Sequence, residues 1–130
     1  MAKRIALATL LVRDYDEALA FFTGALGFAV GEDEPLDGAG KRWVTVAPAG
    51  GGAGLLLARA DGDDQRAAVG RQAAGRVGFF LETDDFARDH AAFTAKGVRF
   101  TEAPRREAYG TVAVFADLYG NLWDLIEPEP

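Results

Sequence analysis

The chain has 130 residues, 49% of them hydrophobic and 26% charged, with a formal charge of −6, enough to bury a core and too few for two ordinary domains. It contains no cysteine and no serine, which excludes disulfides, thiolate chemistry, Cys-ligated zinc or iron–sulfur centres, and serine nucleophiles. Acid exceeds base with no basic block, which argues against nucleic acid, and the single histidine, His90, cannot build a multi-histidine metal cage.

In chain order, residues 5–12 form an apolar run that is too short for a membrane span of roughly 20 residues. It lacks the pattern of a signal peptide, so the expected location is cytoplasmic. The run reads as a buried strand. Asp14 then opens a helix, with Glu17 three residues later in the capping arrangement and Ala18, Phe21, Phe22 and Ala25 at helical spacing. Gly27 is its left-handed stop. An extended piece over 28–32, a turn over 34–38, a strand over 42–47, a glycine-rich turn over 50–52 and a strand over 54–58 complete a β-α-β-β-β order. A polar linker covers 61–73. The order then returns: a strand over 77–83, a helix capped by Asp84 or Asp85 with Phe86, Ala92 and Phe93 inward, and strands near 99–102, 111–116 and 122–127. A tight turn over 117–121 joins the last two.

Asp14 corresponds to Asp85, 71 residues on, and Gly27 to Gly97, 70 residues on. This is a duplicated βαβββ module within a single 1–130 domain, with modules at 5–60 and 74–128.

Two stretches carry a resemblance. One is Val12-Arg13-Asp14, followed by Phe21-Phe22 and Leu26-Gly27-Phe28; the other is Asp117-Leu118-Tyr119-Gly120-Asn121-Leu122-Trp123-Asp124-Leu125. In this order they resemble the opening and ending of the vicinal-oxygen-chelate superfamily, which includes glyoxalase I, bleomycin-resistance proteins and extradiol dioxygenases. The resemblance implies an α+β fold in which two modules curve into a half-open, eight-stranded cup with helices outside and a ligand or metal inside. It places the family's metal ligands at Leu7, Leu56, Gly78 and Asp124. Period-2 alternation adds Thr9 and Leu11 to the Leu7 face, and Phe80 and Glu82 to the Gly78 face.

Three of those four positions cannot ligate a metal, so the expectation is a protein without the family metal or another cofactor. Asp124 is either a carboxylate facing the cup or a strand residue that is solvated or paired with an arginine. Glu82 carries the same alternatives. If both face inward, their repulsion raises one pKa and makes an acid/base or amine-binding pair. Thr9, Arg42, Phe80 and Tyr109 complete the candidate ligand contacts. Arg42 and Arg59, near strand ends, either meet an anionic group or are solvated. Trp43 and Trp123 are expected in the core, and His90 is read as structural. The glycines at 50–54 precede a strand and lack a phosphate-loop ending, so they read as a turn. The acidic run from Asp61 has Arg66 where a calcium loop needs glycine and Gln72 where it needs glutamate.

The resulting expectation is a metal-free small-molecule binder similar to the bleomycin-resistance branch, where an acidic, aromatic-lined groove sequesters a cationic drug. The alternative is a lyase, isomerase or dioxygenase using Asp124 and Glu82, or Asp124 with a weakly held Mn²⁺ or Mg²⁺. A third reading is a degenerate domain with a filled cup. A homodimer is expected, because pairing would cover sheet edges.

Overall fold

A computed structural model describes residues 2–130. The described chain is mixed α and β, with two separate sheets and two compact units, one running to Val69 and the other Gly70–Pro130.

In the first unit, β1 (Leu7–Val12) leads through Asp14 into α1 (Tyr15–Leu19), followed by β2 (Ala29–Pro35), β3 (Arg42–Ala47) and β4 (Gly54–Arg59). The Asp14 carboxylate caps α1 by accepting the Glu17 backbone N–H at 2.8 Å, one of the donors that a helix start leaves unpaired. The helix does not continue as α to Leu26, as the spacing suggests. From Ala20 to Ala25 it widens into a π-helical turn, and Leu26 N–H reaches Phe21 O at 3.2 Å. The Thr23 hydroxyl occupies the Leu19 carbonyl at 2.7 Å, and such back-bonding loosens a helical ladder. Gly27 then turns the chain with a φ of 75°, as Gly97 does at 86° in the second unit. These are the left-handed stops that the paired glycines announce.

The sheet order is β1-β4-β3-β2, with β1 parallel to β4 and the rest antiparallel. Leu10, Val12, Val44, Val46 and Leu57 are fully buried, each contributing about 1.5–3 kcal/mol. Tyr15, Ala18, Phe22 and Phe28 are buried with them. The short helix α2 (Asp63–Ala68) lies in the linker.

The second unit repeats the plan with β5 (Val77–Glu82), α3 (Phe86–Ala95), β6 (Arg99–Phe100), β8 (Gly110–Ala116) and β9 (Leu122–Pro128) in the order β5-β9-β8-β6. An additional strand, β7 (Arg105–Glu107), also pairs with β8, so the described residues hold nine strands where the sequence suggests eight. The strand expected over 99–102 stops at Phe100 for a local reason. Thr101 N–H still bonds Val114 O at 2.8 Å, but the Glu102 carboxylate, in place of a strand carbonyl, accepts Val114 N–H at 3.0 Å. Pro104 cannot donate to a ladder, and pairing resumes only at Arg105. The core is aromatic: Phe79 stacks on Trp123 (4.4 Å between centroids), Trp123 on Phe115 (5.8 Å), and Phe115 meets Phe93 edge-on (5.5 Å).

Candidate functional site

Each sheet has one side packed on its helix and one side left open. On β1 the burial alternates as period 2 requires: Leu10 and Val12 are buried, while Leu7 and Thr9 are exposed and Leu11 is half-buried. The register sets Thr9 opposite Leu56, Leu56 opposite Thr45, and Thr45 opposite Glu32, so the open side of the first unit combines apolar residues and two hydroxyls with the acidic strand β2. Thr45 Oγ1 accepts Glu32 N–H at 2.9 Å.

Arg42 is not on that side. It shares its strand phase with buried Val44 and Val46, stacks over Tyr15 (5.0 Å), donates two bonds to Asp33 (3.1 and 2.8 Å) and one to Asp16 (3.0 Å). With its donors engaged by carboxylates, it is a strut between β3, β2 and α1, and not an anion contact. Arg59 lies over the same Tyr15 ring at 5.2 Å. Trp43 also departs from expectation. It is half-buried, with its indole N–H on Glu32 Oε1 at 3.1 Å, because Val44 and Val46 hold the buried phase of β3. Trp123 is in the core, as expected.

The second unit's open side gathers more chemistry. Gly78, Phe80 and Glu82 are exposed and alternate with half-buried Val77, Phe79 and Leu81. Phe80 is 68% exposed in the middle of a strand. Across the sheet, Asp124 pairs with Phe80 on β5 and with Val114 on β8. Both polar backbone groups of Val114 point the other way, to Thr101 and Glu102. Val114 and Asp124 are therefore a non-hydrogen-bonded pair, the closer of the two antiparallel spacings. The next row along the sheet reads Glu82, Ile126, Val112, Arg105.

Asp124 is half-buried and makes no side-chain hydrogen bond among the described residues. Burial pushes its carboxyl above the usual range; Arg105 opposes this and Glu102 adds to it. Glu102 is thus a second carboxylate that acts on Asp124, while Glu82, the one that strand alternation suggests, is exposed on the same face and diagonal to Asp124. Arg105 donates from Nε to Glu102 Oε2 at 3.0 Å and from Nη1 to Glu107 Oε1 at 3.0 Å. The Tyr109 side chain joins these carboxylates in holding Arg105 charged, and Tyr109 itself is 54% exposed. Sequence reasoning missed Glu102 and Arg105. Their signal was Glu102 two residues before a proline that breaks the strand.

The donor set does not fit the metal that the resemblance implies. Leu7 and Leu56 offer hydrocarbon and Gly78 offers no side chain, which leaves Asp124 alone. Among the described residues no three His, Asp or Glu side chains converge as a metal group. His90 is packed between Phe86 (5.4 Å) and Phe100 (4.1 Å) on the helix side. Among the described residues no helix is long and apolar enough to cross a membrane.

The family model of the Glyoxalase/Bleomycin resistance protein/Dioxygenase superfamily matches residues 4–125. An uncharacterized protein of Shewanella frigidimarina (strain NCIMB 400) is 48% identical over 98% of this chain and 95% of its own. YurT of Bacillus subtilis (strain 168) is 32% identical over 95% of this chain and 98% of its own. Among solved structures, UcmS2 matches with a TM-score of 0.82 at 28% identity, covering 97% of this chain and 98% of its own. TnmS3, an antibiotic binding protein from Streptomyces sp. CB03234, matches with a TM-score of 0.80 at 29% identity, covering 98% of each chain.

Proposed function

The chain belongs to the glyoxalase/bleomycin resistance protein/dioxygenase superfamily, and on that premise we propose that it binds a small molecule, without a resident metal, on the open sheet face that carries Phe80 and Asp124. The observation that carries this reading is the pairing of those two residues. A phenyl ring 68% exposed in mid-strand lies in register with a half-buried carboxylate that makes no side-chain hydrogen bond among the described residues. A large aromatic left in water beside a carboxylate that solvent can reach is a surface that a ligand would cover. A flat, positively charged or hydrogen-bond-donating compound satisfies both groups at once. The net charge of −6 favours a cation and disfavours nucleic acid. Likeness to TnmS3, whose description is of an antibiotic binding protein, supports the same ligand class.

The protein is proposed to act as a cytoplasmic homodimer, since each sheet ends in strands whose outer edges pairing would cover. A second reading, a lyase, isomerase or dioxygenase, draws on the raised Asp124 carboxyl as a general acid or base. Glu82, exposed on the same face, is the second residue of that reading.

A thermal-shift screen of antibiotics and cationic aromatic compounds tests the proposal on wild type, Phe80→Ala and Asp124→Ala. A ligand at about 100 times its Kd stabilises its target by about 2.7 kcal/mol. Wild type is expected to shift and both variants to lose the shift. A shift that survives in both variants would move the site elsewhere.

A further inference from the structure

Gly78 lacks a side chain for want of space. Its φ is not positive, so its backbone would suit any residue. A Cβ at this position would stand 3.2 Å from the methyl of Ala73, tighter than side-chain carbons normally pack. The register also slips here. Val77 pairs with Leu122 and Phe79 with Trp123, which leaves Gly78 outside the pairing, and such irregularities bend a strand and re-aim its neighbours. Gly78 precedes Phe80 by one side-chain row on the open face, about 7 Å along the strand. Given the binding face proposed above, on which this rests, we infer that Ala73 is a specificity-determining residue: its methyl closes the face beside Phe80 and limits the size of the ring that can lie there.

Ala73 belongs to a segment fastened at both ends. Ala74 N–H donates to Arg71 O at 2.9 Å and Arg76 N–H to Ala73 O at 3.1 Å, which makes two successive turns. Upstream, Gly70 lies against the Tyr119 carbonyl, and Gln72 N–H donates to Asn121 Oδ1 at 3.3 Å. Asn121 is buried and donates to Asp117, so the anchor is itself fixed. Downstream, the chain enters β5 at Val77, opposite Leu122. Ala74 has a φ of 55°, the one positive φ outside glycine among the described residues. A backbone in that region persists only where its surroundings hold it. Residues 70–76 thus form a fixed wall beside the starts of β5 and β9.

Phe80 and Asp124 pair across β5 and β9, beyond this wall. A ligand whose charged end meets Asp124 and whose ring lies on Phe80 finds open sheet toward Glu82 and Ile126. In the other direction it meets the Ala73 methyl. A ring extended that way must displace a segment tied to the buried Asp117–Asn121 turn. The wall therefore favours compact aromatic cations over broad fused ones, and Ala73 is the side chain that sets the limit.

The wall is checked first without a ligand. The Ala73 methyl should show a nuclear Overhauser contact to Gly78 Hα, and its absence would overturn the inference. Affinities for benzyltrimethylammonium and its naphthylmethyl analogue are then measured from the Phe80 ring signals in wild type, Ala73→Gly, Ala73→Leu and the double variant Ala73→Gly/Gly78→Ala. Ala73→Gly is expected to raise the naphthylmethyl-to-benzyl affinity ratio and Ala73→Leu to lower it. Each change should be at least about threefold, since a single methylene in an apolar pocket commonly decides that much. The double variant returns a methyl to the same space from the strand side. It should bring the ratio back toward wild type, which a general loosening of the loop would not do.

The amide spectrum of each variant checks its fold; should Ala73→Leu fail to fold, Ala73→Gly and the double variant decide alone. If both probes perturb Phe80 with the same ratio in every folded variant, the inference is overturned while the binding face stands. If neither probe perturbs Phe80 in any variant, the binding face fails and the inference with it.

Discussion

The indole N–H of Trp123 donates to the carboxylate of Asp117 at 3.0 Å, and this bond fastens the last hairpin turn to the aromatic core. Asp117 Oδ1 also accepts the backbone N–H groups of Tyr119 (3.0 Å), Gly120 (3.1 Å) and Asn121 (3.0 Å), while Oδ2 accepts Asn121 Nδ2 at 3.1 Å. One buried carboxylate thus closes the turn that aims Asp124 at the open face. Asp117→Ala strands a buried indole and several backbone donors, and should cost about 3 kcal/mol or more. Urea denaturation monitored by Trp fluorescence measures this, and a loss below about 1 kcal/mol would show that water replaces the carboxylate.

Gly70 stands against the same turn. It has a φ of 80°, and a Cβ there would collide with the Tyr119 carbonyl oxygen. Gly70→Ala combines a left-handed backbone with a clash on main chain that cannot move aside, so it should destabilise by about 2 kcal/mol. Gly97→Ala has the positive φ with open space around its Cβ and should cost about half as much. Comparing the two denaturation midpoints separates the clash from the backbone term. Equal losses would mean that the turn yields.

Two aspartates give pH dependences of opposite sign. Burial raises the Asp124 carboxyl, with Glu102 helping and Arg105 opposing. The folded form therefore holds a proton that the unfolded form has released, and stability falls as pH rises through the window between the two titrations. Asp124→Asn should be as stable as wild type or more so at pH 7, with the difference gone below the usual carboxylate range. Burial works against the Asp89 carboxylate, but Arg88 and the Thr83 hydroxyl outweigh it and hold its pKa below that range. Its contribution is present above the unfolded value and is lost as pH falls through the folded one. Asp89→Asn should accordingly weaken the fold at pH 7 and have no effect in strong acid. Urea melts across pH show whether the two variants diverge in these directions.

The repeat was legible because it is written in residues whose physics is local. Asp14 and Asp85 cap helices, Gly27 and Gly97 end them, and Leu10 and Val12 alternate with Leu7 and Thr9 whatever the surroundings. The site was half legible for the same reason. Alternation finds Phe80 and Asp124, which lie on regular strands. It fails at Glu102 and Arg105, since a side chain that replaces a strand carbonyl has no periodic signature. It fails at Arg42 for another reason: strand phase cannot tell an arginine on the open side from one drawn under the helix by Tyr15, Asp16 and Asp33. The extra strand β7 follows from Pro104, whose position signals a break but not where pairing resumes.

Leu7 and Leu56 lie on the first unit's open side, where β1 and β4 run parallel; Gly78 and Asp124 lie on the second unit's sheet. A carboxylate by itself, with hydrocarbon at the other positions, binds Mn²⁺ or Mg²⁺ no better than an exposed aspartate does. Untagged protein soaked in Zn²⁺, Ni²⁺, Mn²⁺ and Fe²⁺ and then desalted should carry well under one metal per chain by mass spectrometry. Near-stoichiometric metal in the unaltered chain would refute the metal-free reading, and loss of that metal in Asp124→Asn would identify where it is held.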